Sequence, residues 1–272
     1  MNNSKQFTGL WGVILGGSSG FGFAAVEKLA SNGMNIVLLC REIASVEKLL
    51  KEKISLIEVK SGVKILLCNI NALDEGGRVD FLKQFKEVAA SGEKIRLLLH
   101  SIARGNLKPL VARELSGNES GEVLSIEDIQ LTAYAMSHSI LDWTRMLLRE
   151  GLFCQDARII GLTSEGSHKY WESYAAVSVA KASLESLVTY MAVELAKYGL
   201  KTNLIQAGIT ETPSLNKIAG SQELLKIAKK RNPMGRITVP EDVANAIYLL
   251  CTDEASWING SVIHVDGGEH CR

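Results

Sequence analysis

The chain is poor in the features that mark special environments. Only four of its 272 residues are proline, too few for a Pro-rich disordered or fibrous segment. Thirty basic residues stand against thirty acidic ones, for a formal net charge of +0. No long-range field therefore draws the protein to nucleic acid or to an anionic membrane, and any site for a charged partner has to be local. The five cysteines, Cys40, Cys68, Cys154, Cys251 and Cys271, are odd in number and scattered, with no Cys-x-x-Cys pair. That is the usage of free thiols in a reducing compartment. The five histidines show no ligand spacing, so no metal is expected.

A long apolar run is missing as well. The uncharged stretch 7–26 carries six glycines, Gly9, Gly12, Gly16, Gly17, Gly20 and Gly22. They interrupt the continuous apolar block that a signal peptide or a membrane span needs. A cytoplasmic location is expected.

What the chain does have is 46% hydrophobic residues and a length at which one α/β domain still keeps one core. Short apolar runs recur at wide intervals: "WGVIL" (11–15), "NIVLLC" (35–40), "VKILLC" (63–68), "IRLLLH" (95–100), "ARIIGL" (157–162), "KTNLIQ" (201–206) and "SVIHV" (261–265). They do not alternate with polar residues, as suits strands buried on both faces of a parallel sheet. Helix-period segments lie between them, at 20–32, 43–58, 74–91, 125–149, 173–198 and 241–251. Ser125 with Asp128 makes a capping-box start, and Pro240 opens the last helix in its first turn. The order predicts a single domain, 1–272, of Rossmann type: a doubly wound parallel sheet of about seven strands, with ligands at the strands' carboxyl ends. Two segments break the regularity. One is a polar connection at 104–124; the other, 209–234, contains "SQELLKIAKKR" as a short helix and sits where lids are found.

"ILGGSSGFGFA" places Gly16, Gly20 and Gly22 between the first strand and the first helix. Glycine lets the chain turn sharply and approach a pyrophosphate, whose charge meets the helix's free N–H groups and positive dipole end. The spacing is a variant of the dinucleotide fingerprint. Gly16-Gly-Ser18-Ser-Gly20 also fits the G-x-S-x-G elbow of α/β-hydrolases, but it follows the first strand and lacks a fitting later Asp and His. At the end of the second strand the chain reads Cys40-Arg41-Glu42. Arg41 suits a 2′-phosphate and favours NADPH, while Glu42 leaves NADH open.

"GGSSGFG", "YAAVSVAKASLESL", "NLIQAGITET" and "PEDVANAIYLLCTDEASWINGSVIHVDGG" together resemble the short-chain dehydrogenase/reductase superfamily over nearly the whole chain. Ketone-reducing members pair a tyrosine with a lysine four residues later, but the residue four before Lys181 is Val177. Tyr174 stands seven before Lys181, which is the spacing of the superfamily's enoyl-acyl-carrier-protein reductases; "HSIA" (100–103) and Ala207-Gly208 resemble that branch too. On one helix, seven residues keep the two side chains on one face, with the phenol about 4.5 Å further along the axis than in a four-residue pair. In conjugate reduction the negative charge gathers on the thioester oxygen, away from the carbon that takes the hydride, so a displaced donor suits that reaction.

The resemblance implies NAD(P)H-dependent reduction of a trans-2-enoyl thioester carried by acyl carrier protein or coenzyme A, in a cytoplasmic homotetramer. It implies Tyr174 as oxyanion donor, Lys181 on the nicotinamide ribose, and Ser164 as a further donor. The dinucleotide is expected along Gly16, Ser18, Ser19, Gly20, Phe21 and Gly22, at Arg41, Asn69 and Ile70, along Ser101, Ile102 and Ala103, and along Ala207, Gly208, Ile209 and Thr210. Ser164 stands where ketone reducers keep their serine, so ketone reduction stays open, as does a dinucleotide-sensing protein without turnover. Lys226, Lys229, Lys230 and Arg231 form a basic cluster suited to an acidic carrier protein.

Overall fold

The computed structural model describes residues 6–112, 123–218 and 220–272. Seven strands form one parallel sheet: β1 Leu10–Leu15, β2 Asn35–Cys40, β3 Ile65–Asn69, β4 Lys94–His100, β5 Phe153–Thr163, β6 Lys201–Ala207 and β7 Val262–Val265. Their spatial order is β3-β2-β1-β4-β5-β6-β7. The chain leaves β1 in one direction and returns at β4 to build in the other, which opens a crevice at the carboxyl ends between them.

Among the described residues there are eight α-helices, α1 Gly20–Ser31, α2 Ala44–Ser61, α3 Glu75–Val88, α4 Ile126–Ala133, α5 Ser139–Arg149, α6 Ala175–Glu194, α7 Ser221–Arg231 and α8 Pro240–Cys251. Of these, α1, α2 and α8 cover one face of the sheet and α3, α5 and α6 the other. Successive strand residues point to opposite faces. Ile36, Leu38, Leu97 and Leu99 meet Val26 and Leu29 of α1 and Val243 and Ile247 of α8. Val37, Leu39 and Leu98 meet Phe81 and Phe85 of α3, Trp143 of α5 and Leu184 of α6. Both faces of the central strands are therefore apolar, and that is why the runs in the sequence do not alternate. Helix α6 is long and apolar enough to cross a membrane, yet it buries Ala176, Lys181, Leu184 and Val188 within the fold.

Several local features differ from the sequence expectation, among them β5, which begins at Phe153 rather than at 157. The segment 125–149 is not one helix: a π turn, Tyr134–His138, separates α4 from α5. Ser139 then bonds both the Ala135 carbonyl and His100 Nε2. The segment 173–198 yields a shorter helix, because Ser173 takes φ +58 and Tyr174 is the residue before the first helical turn. Strand β3 begins two residues later than expected, at Ile65. Part of the polar connection 104–124 lies outside the described residues.

Candidate active site

At the carboxyl ends of the strands lies a cavity of about 540 Å³, reached by the glycine turn, the ends of β4, β5 and β6, the start of α6 and the 209–234 segment. The turn is built as its composition requires. Gly16 adopts φ +83, and a Cβ there would sit 2.6 Å from the Ser101 carbonyl; one on Gly22 would lie 2.2 Å from the Gly16 oxygen. Helix α1 starts at Gly20 with no side-chain cap, and Ser18, Ser19, Gly20 and Phe21 line the cavity. An uncapped helix N-terminus facing a cavity from a glycine turn suits a pyrophosphate, so the residues fit a dinucleotide.

Most of the predicted residues converge here. Ser101, Ile102 and Ala103 after β4, and Ala207, Gly208, Ile209 and Thr210 after β6, line the cavity, as do Ser164, Tyr174 and Lys181. Four do not. Gly22 packs beneath the turn, and Ile70 bonds its N–H to the Cys40 carbonyl. Asn69 spends its amide on the backbone of Glu42, accepting from its N–H and donating to its carbonyl, with a further bond to Glu47. Arg41 is exposed. The residue of this strand end that reaches the cavity is Glu42, whose carboxylate accepts a 2.7 Å hydrogen bond from Ser18 Oγ.

Tyr174 is held by packing against Trp171 and Gly166. Its ring lies 5.3 Å from that of Trp171, and a Cβ on Gly166 would come within 2.5 Å of it. Its hydroxyl donates to Ser164 Oγ at 3.4 Å, and Ser164 Oγ also accepts from the Gly166 N–H at 3.2 Å. Burial raises the phenol's pKa, outweighing the Ser164 bond, so the tyrosine is a neutral donor at neutral pH. Lys181 is buried and donates to the Leu162 carbonyl at 2.7 Å. Burial, only partly offset by Glu185, brings its ammonium down to about 8. Beneath it, burial first and then the Lys181 charge bring His100 down to about 3, so this imidazole is neutral. Glu185 accepts from Thr163, Ser167 and His168, which fixes the carboxylate whose charge acts on Lys181.

Beyond the predicted set, Glu42, Glu165 and Glu269 also line the cavity. Arg231 turns inward from α7 toward Glu165 and Glu269, while Lys226, Lys229 and Lys230 remain exposed. The expected basic cluster is therefore three lysines. One set of metal-type side chains also converges that the linear spacing hid: His264, Asp266 and His270, with ligand atoms within 4.8 Å of one another. The Asp266 carboxylate accepts from the N–H groups of Gly268 and His270 and from His270 Nδ1. The rings of His264 and His270 stack at 3.8 Å, so Asp266 and His270 form a hydrogen-bonded turn against which His264 of β7 packs.

The sequence profile of a family described as enoyl-(acyl carrier protein) reductase matches residues 16–270. The enoyl-[acyl-carrier-protein] reductase [NADH] FabI of Aquifex aeolicus (strain VF5) is 30% identical over 206 residues, covering 76% of this chain and 72% of that protein. The 3-oxoacyl-[acyl-carrier-protein] reductase FabG of the same organism is 28% identical over 257 residues, 94% of this chain and 95% of the relative. Among solved structures, the enoyl-[acyl-carrier-protein] reductase (NADH) from Aquifex aeolicus VF5 aligns with a TM-score of 0.81 at 25% identity, covering 98% of each chain.

Proposed function

This chain belongs to the enoyl-(acyl carrier protein) reductase family, a family of nicotinamide dinucleotide-dependent oxidoreductases, and from that premise we propose that it reduces the carbon–carbon double bond of a trans-2-enoyl thioester. The observation that carries this reading is the cavity wall itself. Tyr174 and Lys181 both reach it, and the position of the ketone reducers' tyrosine holds Val177, which lines the same wall with no proton to give.

When bound, the reduced dinucleotide supplies a hydride to Cβ of the substrate. The chain's own residues deal with the charge that gathers on the thioester oxygen. Tyr174 offers a neutral phenol O–H to that oxygen, and Ser164, already bonded to the phenol, offers a second hydroxyl. Lys181, held against the Leu162 carbonyl, holds the ribose and supplies positive potential beside the developing oxyanion. Trp171, Met136, Leu107 and Ile218 give the cavity an apolar side for an acyl chain.

For the cofactor form, Arg41 alone favours NADPH, but the placement of Glu42 supports NADH. A carboxylate on the cavity wall accepts from a ribose 2′-OH and repels a 2′-phosphate. The protein is further read as a cytoplasmic homotetramer that takes its substrate from acyl carrier protein or coenzyme A. The exposed Lys226, Lys229 and Lys230 on α7 support an acidic carrier as partner.

A second reading, reduction of a 3-oxoacyl thioester, is favoured by the Ser164–Tyr174 hydrogen bond, since a paired serine and tyrosine suit a ketone. One assay separates the two: dinucleotide oxidation followed at about 340 nm, with trans-2-enoyl and 3-oxoacyl thioesters of equal chain length and with NADH and NADPH in parallel. The enoyl substrate with NADH is expected to give the highest kcat/KM. Preference for the 3-oxo substrate makes the second reading the right one.

A further inference from the structure

The segment before helix α7 borders the cavity through Leu215, Lys217 and Ile218, and the helix itself through Arg231; their attachment to the rest of the molecule is uneven. The helix starts from Gly220 in the left-handed conformation, φ +75. Its apolar side, Ala228 with Leu225, packs on Ile209, Leu215, Ile218 and Trp171. At its other end the fastening is polar. Arg231 Nη2 donates to Glu165 Oε1 and to Glu269 Oε1, both at 2.5 Å. The next residue, Asn232, donates to the Asp266 carbonyl at 2.7 Å.

We propose that Arg231 is a positioning residue: it pins α7 at once to the segment that follows Ser164 and to the C-terminal turn, and so sets how tightly the acyl substrate is held. The substrate part of this inference rests on the function proposed above.

Charge and burial give the pin its strength. The side chains of Glu165 and Glu269 are only 11% and 2% exposed. Lys169 also reaches Glu165, at 3.0 Å from its outer oxygen, whereas Glu269 has Arg231 as its one ion-pair partner among the described residues. Burial holds the Glu269 carboxyl above its usual range even with that partner. Removing the guanidinium leaves two poorly solvated carboxylates facing each other, which is far more costly than losing a surface pair.

The pin also reaches the cavity floor. Glu269 Oε2 accepts from the Ile209 N–H at 3.3 Å, and a Cβ on Gly208 would lie 2.8 Å from the same oxygen. The C-terminal turn that carries Glu269 is itself braced by Asp266 and His270. Movement of α7 away from the cavity therefore separates three elements together: the helix, the residues after β5 and the C-terminal turn.

The test uses the full-length protein with Arg231→Met, Arg231→Lys and Glu269→Gln, read in two independent ways. The first is steady-state kinetics with an enoyl thioester. Arg231→Met is expected to raise KM about ten-fold with kcat changed by less than about three-fold, and Arg231→Lys to recover most of the loss. The second is the rate of tryptic cleavage after Lys226 in the absence of substrate, expected to rise about ten-fold in Arg231→Met and to a lesser extent in Glu269→Gln. A wild-type KM together with a wild-type cleavage rate overturns the pin. If the wild-type protein does not turn over the enoyl thioester, the proposed function fails while the cleavage arm still decides the pin. Should Arg231→Met not fold, Glu269→Gln and Arg231→Lys carry both readouts.

Discussion

The two ends of the same strands treat buried charge in opposite ways. At the amino ends, Arg96 and Arg158 are almost fully enclosed and almost fully satisfied. Arg158 donates to the carbonyls of Leu250, Thr252 and Asp156 and to the Asp156 carboxylate. Arg96 reaches the Cys251 carbonyl, Asp156 and Asp253. Lys201 adds a third cation on Asp156. Burial pushes the Asp156 carboxyl upward, but the bonds from Arg158 and Lys201 outweigh it and bring the group down to about 2. At the carboxyl ends the buried groups are left with capacity to spare. Among the described residues His100 Nδ1 and Arg231 Nε have no hydrogen-bond partner, as is also true of Thr202 Oγ1 at the amino end of β6, and the Tyr174 hydroxyl has one long bond. Saturated polar groups rigidify a fold; the weakly bonded Tyr174 hydroxyl, on the cavity wall, is free to meet a ligand and the charge it develops.

The largest expected effect tests the saturated end. Arg158→Met keeps the stem and removes the donors, so several buried carbonyls lose their partners, at about 1–3 kcal/mol each. Denaturant unfolding is expected to show a loss of about 3–5 kcal/mol. The activity of the fraction that stays folded should remain within about two-fold of wild type. A large fall in kcat with unchanged stability erases the proposed division between the ends.

The opposite pattern is expected of Tyr174→Phe. The ring still packs on Trp171 and Gly166, so stability should change by less than about 1 kcal/mol. Losing the phenol O–H should lower kcat by about ten-fold or more. If the rate with an enoyl thioester is unchanged, Tyr174 has no part in the reaction.

The sheet and part of the site were legible in the chain, but the contrast between the two ends was not. The seven strands stood out because both faces of the sheet are covered, which writes them as unbroken apolar runs, and the helix Ser221–Arg231 coincides with its sequence stretch. Tyr174, Lys181 and Ser164 were named through the family resemblance, and all three line the cavity. What escaped depends on long-range geometry. Nothing local shows that Arg231 turns away from its neighbours Lys229 and Lys230 to meet Glu165 and Glu269, residues 66 and 38 positions distant. Arg41 and Glu42 are adjacent, and only the Ser18 bond reveals which of them faces the cavity. The positive φ of Ser173 and the π turn at Tyr134–His138 have no composition signal either, since serine and tyrosine both occur freely in ordinary helices.

The pH dependence best separates function from stability, because at Lys181 the two run in opposite directions with pH. Its ammonium titrates at about 8 in the folded protein, against the ordinary 10.5. Between those values the unfolded chain holds a proton that the folded chain has released, so stability rises as pH increases across the window. Below about 8 the folded protein bears the cost of a buried cation. Catalysis needs that cation, so kcat/KM should fall as pH rises through about 8, reaching about a ten-fold loss per unit once the lysine is neutral. Tyr174 lies too high to account for this limb, and His100, at about 3, lies too low. Lys181→Met should abolish both the alkaline decline in the remaining activity and the alkaline gain in thermal stability. If both slopes persist in that variant, another group titrates near 8, and the positive potential of the cavity has a different source.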